Sequence, residues 1–313
     1  MANFSLQIGD GSVKNGNPRG SSSIDLQLLR TAATQVASGT ASMIVGGANN
    51  TANGLYAAVM GGYSNLSSGT YSVTGGAGNI ASAESSLAMG AGNQATANGS
   101  AAIGLENIAS AAASIAIGNA NNAAAINSAI INSVGSATYS TAPYSTIIGG
   151  AGGLTYLPGQ LVTNPRSQYG VGGNFQVSEL LVFREVSQPA GPYTSIQFTL
   201  DGLTPAVTNQ LLINSANKVW QVVSEWMLIN TTTSQVVVGK DLVVVHKVGG
   251  LVRLVTSTNI SKVGDLSMTS QWSAVYNTAN DMSVTMMPAG GSALGTTVFR
   301  GSAKLTITEL KSN

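Results

Sequence analysis

The chain of 313 residues contains no cysteine, a single histidine, and charged residues at only 8% of its positions. Without cysteine there are no disulfides, no thiolate chemistry and no cysteine-ligated metal site. One histidine, His246, cannot form a site that needs several imidazoles, and its strand-like surroundings favour a structural role. Ordinary globular proteins carry about 25% charged residues, so this composition is typical of a repeat array or an assembled surface.

The sequence lacks the features by which proteins bind nucleic acids, insert into membranes or hold phosphate-containing cofactors. The formal net charge is +1 and the thirteen cations are scattered, whereas nucleic-acid binding requires Lys and Arg to neutralise phosphates. No apolar run approaches the ~18 residues of a membrane-spanning helix, and the N-terminal residues lack the basic and apolar regions of a secretory signal. No phosphate-binding glycine motif occurs. We therefore expect no nucleic-acid partner, no membrane insertion and no cofactor.

The charges that are present divide the chain in two. Between Thr31 and Pro165 the only charged residues are Glu84 and Glu106, and 18 of the 25 charged residues follow Pro165. This change of composition predicts a change of architecture near the proline.

The nearly uncharged part repeats a short unit. An asparagine recurs at intervals of 15, 14, 14, 14 and 14 residues, and an upstream glycine recurs with almost the same period. Two markers with one period indicate a structural repeat. Apolar residues alternate before each glycine, which indicates short strands with one buried face. The residues expected to pack the roll or its trimer are Val45, Met60, Met89, Ile103, Ile117 and Ile131.

Two units of this repeat, ATANGSAAIGLENI (95–108) and ASAAASIAIGNANN (109–122), resemble the head repeats of trimeric autotransporter adhesins. The resemblance covers about 100 residues and rests on the period together with an SxAxG-type core. It implies a left-handed parallel β-roll in which three chains associate about one axis. A disordered low-complexity segment would not keep the alternation in step with the asparagine spacing.

The C-terminal half lacks the short repeat and contains longer β-branched and aromatic segments. Residues 155–174 contain two prolines and several glycines and are interpreted as a linker. From Phe175 about eight β-branched and aromatic segments follow, separated by turn residues, which predicts an antiparallel β-sandwich or jelly roll over 175–313. Residues 195–310 are similar to the trimeric C-terminal sandwich domain of phage tail spikes and fibres, through the order KVWQVVSEWMLIN, QWSAVYNTANDMSVTM and FRGSAKLTITEL. This resemblance implies a virion appendage.

The N-terminal region is interpreted as an attachment arm with a short helix over residues 1–36. In SSSIDLQLLRTAATQVASG (21–39) apolar residues recur four positions apart, as expected for an amphipathic helix that ends near Gly39. Ile24, Leu28 and Leu29 are the residues expected to contact a phage tail or capsid component.

Receptor binding is predicted for the C-terminal domain, because sugars are held by aromatic faces with polar side chains alongside. For Trp226, which shares one face of its strand with Trp220, a place in the core or a subunit interface is the competing interpretation. The candidate residues are Trp226, Trp272, Tyr276, Asn277, Asn280 and Asp281.

The sequence favours a protein that is not an enzyme. Polysaccharide cleavage needs two carboxyl groups facing one sugar, roughly 5–10 Å apart. Glu84 and Glu106 are 22 residues apart, which is not a multiple of 14 and places them at different corners of the roll. Asp241, Asp265 and Asp281 of the C-terminal half lie at predicted turns.

These observations predict an all-β homotrimer with a roll over residues 37–154 and a terminal sandwich. The preferred function is a phage tail spike or fibre that is located on the virion and, during infection, binds a host-surface glycan or receptor. A trimeric capsid decoration protein is the main alternative. A bacterial surface adhesin and a polysaccharide depolymerase are less favoured.

Overall fold

The computed structural model describes residues 6–7, 17–166, 175–188, 191–192, 196–197, 218–248, 251–264, 272–277, 283–288, 292–293 and 297–311. Over these ranges the regular structure consists of β-strands alone, which confirms the all-β prediction. They include no helix that could span a membrane. The chain divides into two units, Met1–Tyr156 and Leu157–Asn313.

The first unit is a parallel β-solenoid in which each turn, here called a coil, contributes to two sheets. Within the described residues the first sheet has ten strands, all paired in parallel in chain order. This confirms the parallel roll predicted from the repeat. The strands are β1 (Leu6–Gln7), β2 (Ile24–Asp25), β3 (Met43–Ile44), β5 (Ala58–Tyr63), β7 (Val73–Ala77), β9 (Leu87–Ala91), β11 (Ala101–Leu105), β13 (Ile115–Asn119), β15 (Ala129–Val134) and β17 (Thr146–Ile148).

The second sheet of the solenoid has eight two-residue strands in the described part of the chain, again parallel. Successive strands are offset by one repeat, so that Ala95 pairs with Ala81 and Ala109. The strands are β4 (Thr51–Ala52), β6 (Leu66–Ser67), β8 (Ile80–Ala81), β10 (Gln94–Ala95), β12 (Ile108–Ala109), β14 (Asn122–Ala123), β16 (Ala137–Thr138) and β18 (Leu154–Thr155).

The interior of the middle coils is filled by the small residues of the SxAxG unit. Ser100 and Ala102 point inward and are essentially fully buried, whereas Ala101 and Ile103 between and after them are only partly covered. The residues predicted to pack the roll therefore lie on its outer face, one position beyond the interior residues. Those interior residues of the first sheet are Ile44, Val59, Thr74, Ala88, Ala102, Ala116, Ile130 and Ile147.

The repeated asparagines form a hydrogen-bonded ladder inside the solenoid. Asn93 donates from Nδ2 to Oδ1 of Asn79 at 3.0 Å, and Asn107 donates in the same way to Asn93 at 3.0 Å. Asn93 Nδ2 also reaches the carbonyls of Met89 at 2.9 Å and Gly104 at 2.7 Å. Buried amide and carbonyl groups are thereby satisfied at each coil. The ladder comprises Asn50, Asn65, Asn79, Asn93, Asn107 and Asn121.

The repeated glycine allows adjacent coils to approach closely. Gly104 has a φ of +117°, and a Cβ at this position would lie 2.1 Å from the carbonyl oxygen of Gly118 in the next coil. Backbone atoms cannot move aside as the end of a side chain can. The position therefore excludes every residue except glycine.

We expect Gly104→Ala to lower the free energy of unfolding by about 3 kcal/mol, because it combines backbone strain with overpacking. The matched control is Gly46→Ala, since a Cβ on Gly46 meets no atom within 4 Å. Denaturant unfolding followed by circular dichroism measures both variants. Equal stability of the two variants would contradict the close approach of the coils.

The predicted N-terminal helix is wrong. Ile24 and Asp25 form a strand of the first sheet, in register with Met43 and Ile44. The pattern of burial alternates with a period of two, with Asp25 fully buried and Ile24 37% exposed. Ser23 corresponds to Ser42 of the next coil, so this segment is a coil with an aspartate at the interior position. The predicted attachment residues Ile24, Leu28 and Leu29 are exposed, and their contact with a virion component stays a prediction.

Asp25 is held by two arginines whose side chains are also buried. Arg19 Nε lies 3.1 Å from Oδ2, and a terminal nitrogen of Arg30 lies 3.0 Å from Oδ1. The side chains of Arg19 and Arg30 are 7% and 1% exposed. Gln27, also buried, donates to the carbonyl of Asn50 at 3.0 Å and accepts from the Asn50 amide at 2.8 Å. Ionic and amide groups thus replace apolar packing in this coil.

The second unit contains a sheet of long antiparallel strands in the order β19, β20, β29, β23, β24 and β25. The long strands predicted after Phe175 are present, and β19 lies within the segment interpreted as a linker. Two smaller sheets of the described residues pair β21 with β28, and β22 with β27 and β26. The strands of the second unit are β19 (Leu161–Arg166), β20 (Phe175–Gln188), β21 (Gly191–Pro192), β22 (Ile196–Gln197), β23 (Lys218–Asn230), β24 (Gln235–Val248), β25 (Leu251–Gly264), β26 (Trp272–Asn277), β27 (Ser283–Pro288), β28 (Ser292–Ala293) and β29 (Thr297–Lys311).

Candidate functional site

The outer face of the first sheet carries a continuous apolar stripe along the solenoid. Ile103 lies in register between Met89 and Ile117, and Ile131 follows Ile117. Gly75 occupies the same row, and a Cβ there would lie 3.1 Å from Met89 and 3.3 Å from Met60. We define the apolar stripe as Val45, Met60, Met89, Ile103, Ile117, Ile131 and Ile148.

The stripe is exposed to an extent that is unusual for large apolar residues. The exposed fraction is 44% for Val45, 55% for Met60 and 47% for Ile148. Ile131 is exposed as well, and Met89, Ile103 and Ile117 are half-buried. Contiguous apolar surfaces of this kind mark interaction sites. Since no charged residue belongs to the stripe, the surface is suited to an apolar partner.

Glu84 and Glu106 lie at different corners of the solenoid, as their spacing predicts. The carbonyl of Glu84 accepts from the Gly99 amide, and the amide of Glu106 donates to the Ala91 carbonyl. Both side chains are exposed. Over the described ranges of the chain, no cluster of three or more acidic or histidine residues could hold a metal ion.

Trp226 is placed in the core of the second unit rather than on its surface. Its side chain is 2% exposed, and the indole nitrogen donates to Oδ2 of the buried Asp241 at 2.7 Å. The cross-strand neighbour is Gly239, where a Cβ would lie 2.1 Å from the indole ring. The glycine makes room for the tryptophan, and the core interpretation of Trp226 replaces that of a receptor contact.

Three of the other predicted receptor residues lie in a described strand, and two lie outside the described residues. Trp272, Tyr276 and Asn277 belong to β26, which pairs with β27 in an antiparallel hairpin. Asn280 and Asp281 lie outside the described residues. Their role in binding stays a prediction.

The opposite face of the long sheet is exposed and combines charged with apolar side chains. Lys240 Nζ lies 2.8 Å from Oε1 of Glu225, and Lys304 Nζ lies 3.0 Å from Oε1 of Glu179. These ion pairs border a depression of about 410 Å³ whose lining includes Leu181, Met227, Val238 and Val263. Sequence reasoning missed this surface, although the alternation of Glu225 and Met227 with buried residues in β23 indicates it.

The charges on this face hold Glu225 in its ionised form. The hydrogen bond from Lys240 and its positive charge lower the pKa of Glu225 below its ordinary value, and Lys304 contributes further. A carboxyl group whose pKa is lower in the folded than in the unfolded state stabilises the fold at pH values above its unfolded-state pKa. This contribution is lost as the pH falls through the lowered pKa. Glu225 is thus poorly suited to donate a proton near neutral pH.

No protein-family model matches the sequence, and no curated protein matches it. Solved structures that the chain resembles include three Acinetobacter phage tailspikes. The tailspike of A. baumannii phage AM24 aligns over 93% of this chain and 52% of its own, with a TM-score of 0.28 and 9% identity. The tailspike of Acinetobacter phage vB_ApiP_P1 aligns over 94% of this chain and 55% of its own, with a TM-score of 0.27 and 9% identity.

The third structure is tailspike protein gp49 of A. baumannii bacteriophage Fri1, described as a capsular polysaccharide depolymerase. It aligns over 98% of this chain and 62% of its own, with a TM-score of 0.21 and 8% identity. The chain thus spans about half to three fifths of the length of these proteins. At these TM-scores the functional argument depends on the chain's own residues. The description of gp49 contradicts the sequence-based prediction of a non-enzymatic protein, and that prediction is withdrawn.

Proposed function

We propose that this chain is part of a homotrimeric phage tail spike or fibre that binds polysaccharide on the host surface. The observation that carries the proposal is the apolar stripe, which follows the solenoid from Val45 to Ile148 without a charged residue. A solenoid of this kind serves as a stiff shaft once its exposed face is covered. The location that follows is a tail appendage of the virion.

A second and a third copy of the same chain are the partners that suit the stripe. Identical chains present the same row of side chains at the same coil spacing of about 4.8 Å, so large and small positions can interdigitate coil by coil. The number three follows from the resemblance of the repeat to trimeric adhesin heads. Three copies would also present three identical binding sites, and weak contacts with a repetitive polysaccharide gain from such multivalency.

We expect Ile131→Lys to dissociate the trimer, because three lysines would be brought together in a surface without counter-charges. The matched control is Ile126→Lys, since Ile126 is also exposed, at 53% against 40% for Ile131, but does not belong to the stripe. Sedimentation velocity at equal protein concentration should show loss of the trimer for Ile131→Lys only. If the trimer persists in both variants, the stripe is not part of the subunit interface.

The functional test uses the labelled full chain with encapsulated host cells and with their purified capsular polysaccharide. We expect saturable adhesion that unlabelled protein competes away. The same incubations, followed by size-exclusion chromatography of the polysaccharide, report whether the glycan is also cleaved. Binding to phage capsids in place of cells would overturn the proposal in favour of capsid decoration.

A further inference from the structure

One corner of the solenoid carries tyrosines in a backbone conformation that bulky residues avoid. Tyr56, Tyr71 and Tyr144 have φ angles of 55°, 59° and 61°, in the left-handed region that is unfavourable for large L-residues. Other coils turn the same corner with small or polar residues at similar φ. The fold therefore does not require tyrosine here. The other residues at this corner are Ser22, Ala41, Ser85, Gly99, Ala113 and Asn127.

The corner residues are stacked in register along the solenoid. The amides of Tyr56, Tyr71 and Ser85 donate to carbonyls one coil earlier, at 3.0, 2.9 and 2.8 Å. The rings of Tyr56 and Tyr71 stack with centroids 5.2 Å apart and planes 1° apart. Tyr71 is nevertheless 53% exposed, because the next residue in the stack, Ser85, is too short to cover its second ring face. An open aromatic face is thus presented along the solenoid.

Polar residues occupy or directly precede the corner in the two coils that follow Tyr71. Glu84, Ser85 and Asn98 are exposed, and Glu84 and Asn98 immediately precede Ser85 and Gly99 of the corner. Among the contacts of the described residues, their side chains take part in no hydrogen bond or ion pair. An aromatic face flanked by free carboxylate, hydroxyl and amide groups matches a ligand with apolar C–H faces and hydroxyl groups.

The charge of the region selects among ligands that stack on aromatic rings. No lysine or arginine occurs between Thr31 and Pro165, and Glu84 is negative. Nucleic acids need cations for their phosphates, and acidic polysaccharides would be repelled by Glu84. A neutral glycan meets neither obstacle.

We propose that Tyr56 and Tyr71, together with Glu84 and Asn98, form a binding site for a neutral glycan chain on the side of the solenoid. The site deepens the proposed function, on which it rests, by placing polysaccharide binding on the shaft. Tyr144, which is 67% exposed, lies five coils further along the same corner. At a coil spacing of about 4.8 Å it offers a second stacking face about 24 Å away, within reach of the same extended chain.

The test applies the full-length chain to an array of neutral oligosaccharides of several hexose or N-acetylhexosamine residues. The variant is the double substitution Tyr56→Ala and Tyr71→Ser, which introduces residues that other coils carry at this corner. The control is Tyr63→Ala, since Tyr63 is 57% exposed at the opposite end of β5. We expect the double variant to bind the retained glycans roughly tenfold more weakly or worse, and the control to bind like the unmodified chain.

Three results would overturn the site. They are an unmodified chain that retains no neutral glycan, equal binding by the double variant, and loss of the trimer in the double variant, which would assign the tyrosines to the subunit interface. Adhesion to host cells separates this proposal from the proposed function. If the unmodified chain and the double variant adhere equally, the spike function stands and the corner site falls. If the unmodified chain does not adhere, the spike function itself falls.

Discussion

Asn93→Ala is expected to lower the free energy of unfolding of the solenoid by about 5 kcal/mol. The two N–H groups of its Nδ2 are shared among three acceptors, and its Oδ1 accepts from the amide and side chain of Asn107, which makes five contacts in all. Each lost bond contributes about 1 kcal/mol, and partners left buried without a bond add to the cost. Because each coil contacts mainly its neighbours, the damage is expected to separate the solenoid at this point.

The matched control for this substitution is Asn98→Ala. Asn98 lies in the following unit of the same repeat but is exposed, so we expect a change within about 0.5 kcal/mol. Both variants are compared by guanidinium unfolding at equal protein concentration, since assembly makes stability concentration-dependent. If the two substitutions cost the same, the ladder contributes nothing specific.

Asp25→Ala is expected to cost about 4 kcal/mol, because it leaves Arg19 and Arg30 with buried and uncompensated charges. The control is Glu106→Ala. Glu106 is exposed, and Ala120 occupies the same corner one coil later with nearly the same φ. Calorimetric melting of both variants measures the difference. An Asp25→Ala melt that coincides with that of Glu106→Ala would show that the coil containing Asp25 does not depend on its ion pairs.

The repeat and the parallel coil could be predicted from the sequence. Which residues of each strand point into the coil could not be predicted from hydrophobicity alone. In SIAIG the residues around Ala116 are larger and more apolar than Ala116 itself, so period two points to Ile115 and Ile117 as the buried pair. In the middle coils the interior position is held by Thr74, Ala88, Ala102 and Ala116, and the larger residues beside them lie on the outer face. Toward the ends of the solenoid Ile44, Val59, Ile130 and Ile147 occupy the same interior row.

The coil that contains Asp25 departs from the sequence-based prediction because its interior residue is charged. Asp25 stands where Ile44 stands in the next coil, and an isolated aspartate breaks the apolar alternation. The remaining apolar residues, Ile24 and Leu28, then happen to be four apart. Pairing with Arg19 and Arg30, together with hydrogen bonds from backbone amides, makes Asp25 tolerable inside the coil. Such a contact among several residues has no signature in the local sequence.

In the second unit, runs of β-branched residues predict the long strands, and the segment KVWQVVSEWMLIN coincides with β23. The interpretation of Trp226 depended on which face of that strand is covered. Its hydrogen bond to Asp241 on the neighbouring strand decides this, because a buried indole N–H requires an acceptor. The exposed ion pairs across β20, β29, β23 and β24 depend on register, which sequence patterns alone do not specify.

The most direct test of the account is the mass of the unmodified chain in solution, measured by sedimentation equilibrium at micromolar concentration. The apolar stripe and the proposed spike function predict a single species with three times the 31.5 kDa mass of the chain. A folded monomer, with the circular dichroism of β-structure and no association as concentration rises, would contradict the claim that the stripe is an interface between copies of this chain.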